Sequence, residues 1–202
     1  MRQLAVVLAV GMLAPAGSAP AQERLQTRMN ATTYASVKAI IDSAKRAGLP
    51  ARPIEDKALE GVSAGAVDST IIRAIRTFTT QLGEASKALG KKATADELRA
   101  AVGAIDAGVP PRDLGRIRAS ADERSIATAL TVINDIVVRG VPVGTSTNLV
   151  VSLLRAKVRD AELLDFVRLV RVDIAHGADP TTAASARARG MILTFGISKP
   201  AN

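Results

Sequence analysis

No cysteine occurs anywhere in the 202 residues; tryptophan is also absent, and His176 is the single histidine. Without thiols there can be no disulfide, no lipid attached through cysteine and no cysteine nucleophile. Zinc and most transition-metal sites draw on Cys or His, so neither a metal site nor any other cofactor is expected. A serine hydrolase triad would have to use His176, and no Gly-x-Ser-x-Gly elbow accompanies it. Aromatic residues are confined to Tyr34, Phe78, Phe166 and Phe195. No stretch approaches the roughly 20 apolar residues that a membrane-spanning helix needs, so no transmembrane helix is expected in the mature chain.

One apolar run does stand out at the start. Arg2 is followed by apolar residues from Leu4 to Leu13 and then by small residues ending Ala19-Pro20-Ala21. That order is the pattern of a secretory signal, with Ala-x-Ala as cleavage motif and Gln22 as the expected mature N-terminus. Residues 1–21 are therefore set apart from the fold, and a periplasmic or secreted protein is expected. An exported protein without disulfides must rely on its core.

The core is aliphatic. Ala, Val, Leu and Ile dominate and recur at helical spacing, which indicates an all-α domain over residues 22–190. Its punctuation repeats: Gly48-Leu49-Pro50, Gly108-Val109-Pro110, Gly140-Val141-Pro142 and the variant Gly177-Ala178-Asp179-Pro180 each separate two helix-like patterns. Gly closes a helix in the left-handed conformation and Pro prevents its continuation. Residues 48–82 align with 140–174 without a gap, superposing Ala64 on Ala156, Asp68 on Asp160 and Arg76 on Arg168. The chain thus reads as irregular helix-turn-helix repeats, arranged as a short solenoid-like stack or a compact orthogonal helical bundle. Neither the tetratricopeptide nor the ankyrin signature is present.

Individual boundaries follow from stop and start signals. The predicted helices run from Thr33 to Ala47, from Pro53 to the glycines at 61 and 65, and from an Asp68 N-cap to Leu89. Two capping boxes are expected, at Thr94-Ala95-Asp96-Glu97 and Ser120-Ala121-Asp122-Glu123. Pro111 starts a short helix, Thr145 or Ser146 caps another, and Asp160 caps the one after. Asp179 with Pro180 opens a last helix that Gly190 ends. Residues 191–202 form an apolar tail, expected to dock on the domain because Met191 to Ile197 is too apolar for a free segment in water.

Lys and Arg number 27 against 19 Asp and Glu, a net charge of +8. Loss of the signal segment removes one positive charge and no acid, leaving +7. This favours encounters with polyanions without distinguishing among them. Arg155, Lys157 and Arg159 flank one turn, Arg168 and Arg171 are neighbours on a helix, and Arg187 and Arg189 precede Gly190; with Arg112, Arg116, Arg118 and Arg124 they could form a stripe touching phosphate or anionic lipid. A solvated face of mixed ion pairs is the competing expectation, since Asp160, Glu162, Asp165 and Asp173 lie close in sequence. No aromatic residues interleave with the cations, and export separates the chain from nucleic acid, so no nucleic-acid partner is expected.

Candidate reacting groups are sparse. Glu55, Asp56 and Glu60 cluster after Pro53, and Glu60 precedes a glycine-rich turn where it could act as a general acid. Their spacing equally suits the acid-favouring start of a helix and its solvated face. His176, before Gly177, suits a helix C-terminus. Neither Gly61-Val62-Ser63-Ala64-Gly65 nor Gly140-Val141-Pro142-Val143-Gly144 has the P-loop pattern. The leading expectation is a non-enzymatic interaction or structural protein of the bacterial cell envelope, with an envelope protein as partner. The first alternative is attachment to an anionic envelope surface through Arg155, Lys157, Arg159, Arg168 and Arg171. The second is an enzyme whose activity would depend on Glu60, Asp68 or His176.

Overall fold

The computed structural model describes residues 21–196, in which ten helices and no strands are found. The helices are α1 (Ala21–Arg28), α2 (Ala31–Arg46), α3 (Ala51–Ser63), α4 (Asp68–Leu89), α5 (Ala95–Asp106), α6 (Pro111–Ala119), α7 (Ala127–Val138), α8 (Val143–Arg155), α9 (Asp160–Ala175) and α10 (Pro180–Gly196). Residues 1–20 of the expected signal segment and 197–202 of the expected tail lie outside the described residues. No described helix is long and apolar enough to cross a membrane.

Every extensive contact joins helices one or two apart in the chain. Even-numbered helices α2, α4, α6, α8 and α10 pack side by side in succession; α1, α3, α5, α7 and α9 do the same. The result is a two-layer stack, the solenoid-like form of the two architectures the sequence allowed. Between the layers runs a continuous aliphatic core in which Leu25, Ile54, Ile75, Leu82, Leu114, Ile133, Leu153 and Phe166 are fully enclosed. Small residues such as Ala85, Ala101, Ala104 and Ala184 let helices approach closely.

One turn design recurs six times. After α2, α3, α5, α7, α8 and α9, the residue in left-handed conformation is Gly48, Gly65, Gly108, Gly140, Lys157 and Gly177 respectively. In each case its N–H and that of the next residue return to carbonyls of the last helical turn, as in Gly140 to Val137 and Val141 to Ile136. The following residue, buried when it is Val109, Val141 or Val158, anchors the turn in the core. Where the next residue is Pro50, Val67, Pro110, Pro142 or Arg159, it is extended and opens the next helix. Proline suits this position because its fixed φ matches and no N–H is needed. The Lys157 turn escapes the Gly-x-Pro pattern because neither hallmark residue is present.

Several helix ends differ from expectation. Ser120 to Glu123 is not a capping box: Asp122 takes a left-handed conformation, Ser120 Oγ donates back to the Arg116 carbonyl, and α7 begins only at Ala127. Val67 and Arg159 occupy the N-cap positions expected of Asp68 and Asp160, which are the first helical residues. Both carboxylates instead accept bonds from neighbouring helices or turns, Asp68 from Asn30 and Asp160 from Thr128. Helix α8 starts at Val143, directly after Pro142, so Thr145 and Ser146 lie inside it. Gly190 does not end α10. A glycine inside a helix costs only about 1 kcal/mol relative to alanine, and continuation lets Met191, Ile192 and Phe195 pack on the core.

Candidate functional site

The alternation of layers places the even-to-odd connections along one edge of the stack. Direct contacts mark that edge. One cleft is walled by both the Gly48 turn and the α4–α5 connection, a second by the α4–α5 and α6–α7 connections, and Lys157 of the α8–α9 turn pairs with Asp122 of the α6–α7 loop.

Toward the C-terminal half, this edge is stitched by charged side chains. Glu97 in α5 is 3% exposed and accepts three bonds: from Thr94 N–H at 2.9 Å, Ile126 N–H at 3.0 Å and Arg118 Nη1 at 2.7 Å. The Thr94 bond and the 3.2 Å return bond from Glu97 N–H to Thr94 Oγ1 complete the expected capping box. The Ile126 bond caps α7, so one carboxylate serves the starts of two helices. Burial opposes ionisation of Glu97, but the donors at Thr94, Ile126 and Arg118 outweigh it and hold its pKa below the usual carboxylate range. Arg124 reaches across to the Val158 and Leu154 carbonyls at the end of α8. Near the opposite edge, Asp135 toward the end of α7 is clasped by Arg139 and by Arg171 of α9; burial again pushes its pKa up, and the two guanidiniums pull it down further.

These pairings decide what the expected anionic-surface residues do. Lys157 faces Asp122, Arg159 faces Glu162, Arg168 faces Asp165 and Arg171 faces Asp135. Of the five, Arg155 alone has no carboxylate partner among the described residues. Arg116 and Arg118 are likewise engaged with Asp113 and Glu97, and Arg187 with Asp173.

Arg112 and Arg189 also lack a carboxylate partner among the described residues, but most unpaired cations lie in the N-terminal half. Among the described residues, Lys45, Arg52, Arg73, Arg76, Lys87, Lys91 and Lys92 have no carboxylate within ion-pairing distance, and all are exposed. Four of them line one trough. Its lower part, about 920 Å³, lies between the Gly48 turn, the end of α4 and the start of α5 and carries Lys45, Lys87 and Lys91. It shares Ala47 and Leu49 with a shallower groove of about 410 Å³ between α2 and α4, where Arg76 stands. No Asp or Glu lines either part. The stripe Arg76, Thr80, Gly83 and Lys87 has helical spacing, and a β-carbon at Gly83 would lie 4.0 Å from Leu49, which places this face of α4 toward the α2–α3 turn. Half-buried Leu49 and Pro50 and buried Leu98 supply the apolar surface.

The candidate reacting groups are not brought together as an acid-base pair. Glu60 and Asp56 share a 240 Å³ groove with Asp106, but Glu60 binds Lys57 at 3.0 Å, Asp56 lies 3.9 Å from Arg99, and Asp106 accepts from Gln81 at 2.6 Å. Glu55 accepts from Gln22 at 3.0 Å. Asp68 sits on α4 beside Asn30, and His176 is exposed at the end of α9 on a different unit. Among the described residues no group of His, Asp and Glu could hold a metal ion. Sequence reasoning missed the α2–α4 trough because its cations are dispersed over 46 residues, whereas the C-terminal cations crowd together in sequence. The available signal was the acid-free run from Ala85 to Ala95, which contains Lys87, Lys91 and Lys92. No family model, curated protein or solved structure matches this chain.

Proposed function

We propose that this protein is an exported, non-enzymatic helical-repeat module of the bacterial cell envelope that binds a protein partner. The trough along one edge of the stack carries the reading: it is concave, apolar at its floor and unbalanced in charge. Stacked helix pairs offer such grooves because each unit contacts only its neighbours, leaving the space between successive connections open.

The alternative of attachment to an anionic envelope surface through the C-terminal cations has weaker support, because four of those five side chains already face carboxylates. Exposed pairs of this kind are worth about 0–1 kcal/mol and exchange readily, so the alternative is testable rather than void. The test is retention of envelope components by the immobilised protein at low and high salt. A specific protein retained at high salt supports the module reading; retention of lipid or polymer alone, released by salt and lost on reversing Arg155, Arg159, Arg168 and Arg171, favours the alternative.

A further inference from the structure

The α2–α4 trough has a chemistry that selects its occupant. Lys45 stands on the last turn of α2, Arg76 and Lys87 on one stripe of α4, and Lys91 on the connection to α5, all exposed and with no carboxylate within ion-pairing distance among the described residues. Along α4, Arg76 and Lys87 are separated by 11 residues, about 16 Å of helix axis. Between the cations lie Leu49, Pro50 and Leu98, together with the Ser43 and Ser86 hydroxyls.

We infer that this trough is the docking groove for an acidic peptide segment of a partner protein, carrying apolar anchor residues among its carboxylates. The inference rests on the interaction-module reading and names its surface and ligand class. Charge complementarity specifies the acid: cations on two walls with no carboxylate between them attract a negative segment and repel a basic one. Size and placement specify a peptide: the two parts, about 920 and 410 Å³, follow the seam between two helices. Neighbouring packed helices lie about 8–10 Å apart, so the groove above them accepts one chain or one helix but not the flat face of a bilayer. Single-stranded nucleic acid would need aromatic stacking platforms, and neither part of the trough is lined by Tyr or Phe. An acidic amphipathic helix laid between α2 and α4 would use the helix-in-groove mode, its apolar side on Leu49 and its carboxylates on the rim.

The test selects from a library of random peptides of about 12 residues, long enough to span the trough as a helix, on the immobilised full chain. Affinities of enriched peptides are then measured by fluorescence anisotropy for the wild-type protein, for K45E/R76E/K87E/K91E and for the control R155E/R159E/R168E/R171E. Far-UV circular dichroism and thermal melts confirm that both variants fold. The expected result is enrichment of net-acidic peptides with interspersed apolar residues, binding weakened at least about tenfold by the trough reversal and unchanged by the control, and weakened but not abolished at high salt because the apolar anchors remain. Enriched peptides without acidic bias, or binding insensitive to the trough reversal, would overturn the groove assignment while leaving the module reading intact. Failure to enrich any peptide overturns the groove assignment, and extends to the module reading only when envelope extract also yields no protein partner. Vesicles of phosphatidylcholine and phosphatidylglycerol provide the last arm: binding to them that K45E/R76E/K87E/K91E abolishes would reassign the trough to anionic lipid.

Discussion

Replacing Glu97 with glutamine keeps the size of the side chain and removes the feature on which three elements depend. In the wild type, Oε2 accepts from Thr94 N–H while Oε1 accepts from both Ile126 N–H and Arg118. An amide has one oxygen. Whichever way it is turned, an NH2 group faces either the start of α5 or the paired donors of α7 and Arg118, and a buried donor loses its acceptor. Hydrogen bonds to charged groups contribute about 1.5–3 kcal/mol, and breaking a buried pair by removing one partner costs about 3–5 kcal/mol. Arg118 retains partial access to water and its bonds to the Asp122 and Arg124 carbonyls, which lowers the expected loss to about 2–3 kcal/mol. For a chain of this size that corresponds to a melting point lowered by about 4–12 °C. The pH dependence has a definite sign. Because the folded pKa of Glu97 is depressed, its contribution is complete above the unfolded value near 4.3 and is lost as pH falls through the lower folded value. The stability gap between wild type and E97Q, measured by urea unfolding, should therefore be constant from neutral pH to about 5 and narrow at lower pH. E162Q is the comparison, since Glu162 makes the same N-terminal bond to Arg159 with an exposed arginine as partner. If E97Q cost no more than E162Q, the claim that one buried carboxylate ties α5, α6 and α7 together would fail.

Three further substitutions probe separate features. Thr147 Oγ1 is buried in α8 without a hydrogen-bond partner among the described residues, so T147V should raise stability by about 1 kcal/mol in a thermal melt, and a lower melting point would show that the hydroxyl is satisfied. Gly90 closes α4 with φ 83° and ψ 175°, a region essentially reserved for glycine, and G90A should lose about 1–3 kcal/mol although nothing lies within 4 Å of the added carbon. Gly144, on the first turn of α8 and equally uncrowded, is the control; G144A losing as much as G90A would refute the backbone explanation. Asp135 is held ionised against burial by Arg171 and Arg139, so D135N should cost about 1 kcal/mol at neutral pH. That cost should fade as pH drops from near 4 through the depressed folded value, and one that persisted in acid would point to packing instead.

Helix class and most boundaries were legible because the two strongest local signals agreed. Wide apolar stripes such as Ile71, Ile75, Phe78 and Leu82 coincide with turns at Gly48, Gly108 and Gly140. Helix α1 escaped because a single buried residue, Leu25, docks an otherwise polar segment, and one apolar position creates no periodicity. The Ser120 box failed for a non-local reason. Its sequence is suitable, but the N-terminus of α7 is capped by a carboxylate 29 residues earlier, and nothing near Ser120 announces this. The same blindness affected the charges: Arg171 meets Asp135 across 36 positions and Lys157 meets Asp122 across 35, distances set by the stacking of units.

That stacking also explains why the gapless alignment of residues 48–82 with 140–174 misleads as a guide to the repeat. It superposes α3, in the odd layer, on α8, in the even layer, because the same turn serves crossings in both directions. A turn that works at either edge lets local sequence repeat without fixing which layer a helix joins; layer membership follows from the count of helices. Charge then separates the halves. In α5 to α10, Arg118, Arg171 and Arg187 pair with acids of neighbouring helices and join one unit to the next, whereas in α2 to α4 the helices are joined by Ile, Leu and Ala, and their cations other than Lys38 and Lys57 have no carboxylate partner among the described residues. Surplus positive charge belongs to the half that does not need it for cohesion, and that is the half in which the open trough lies.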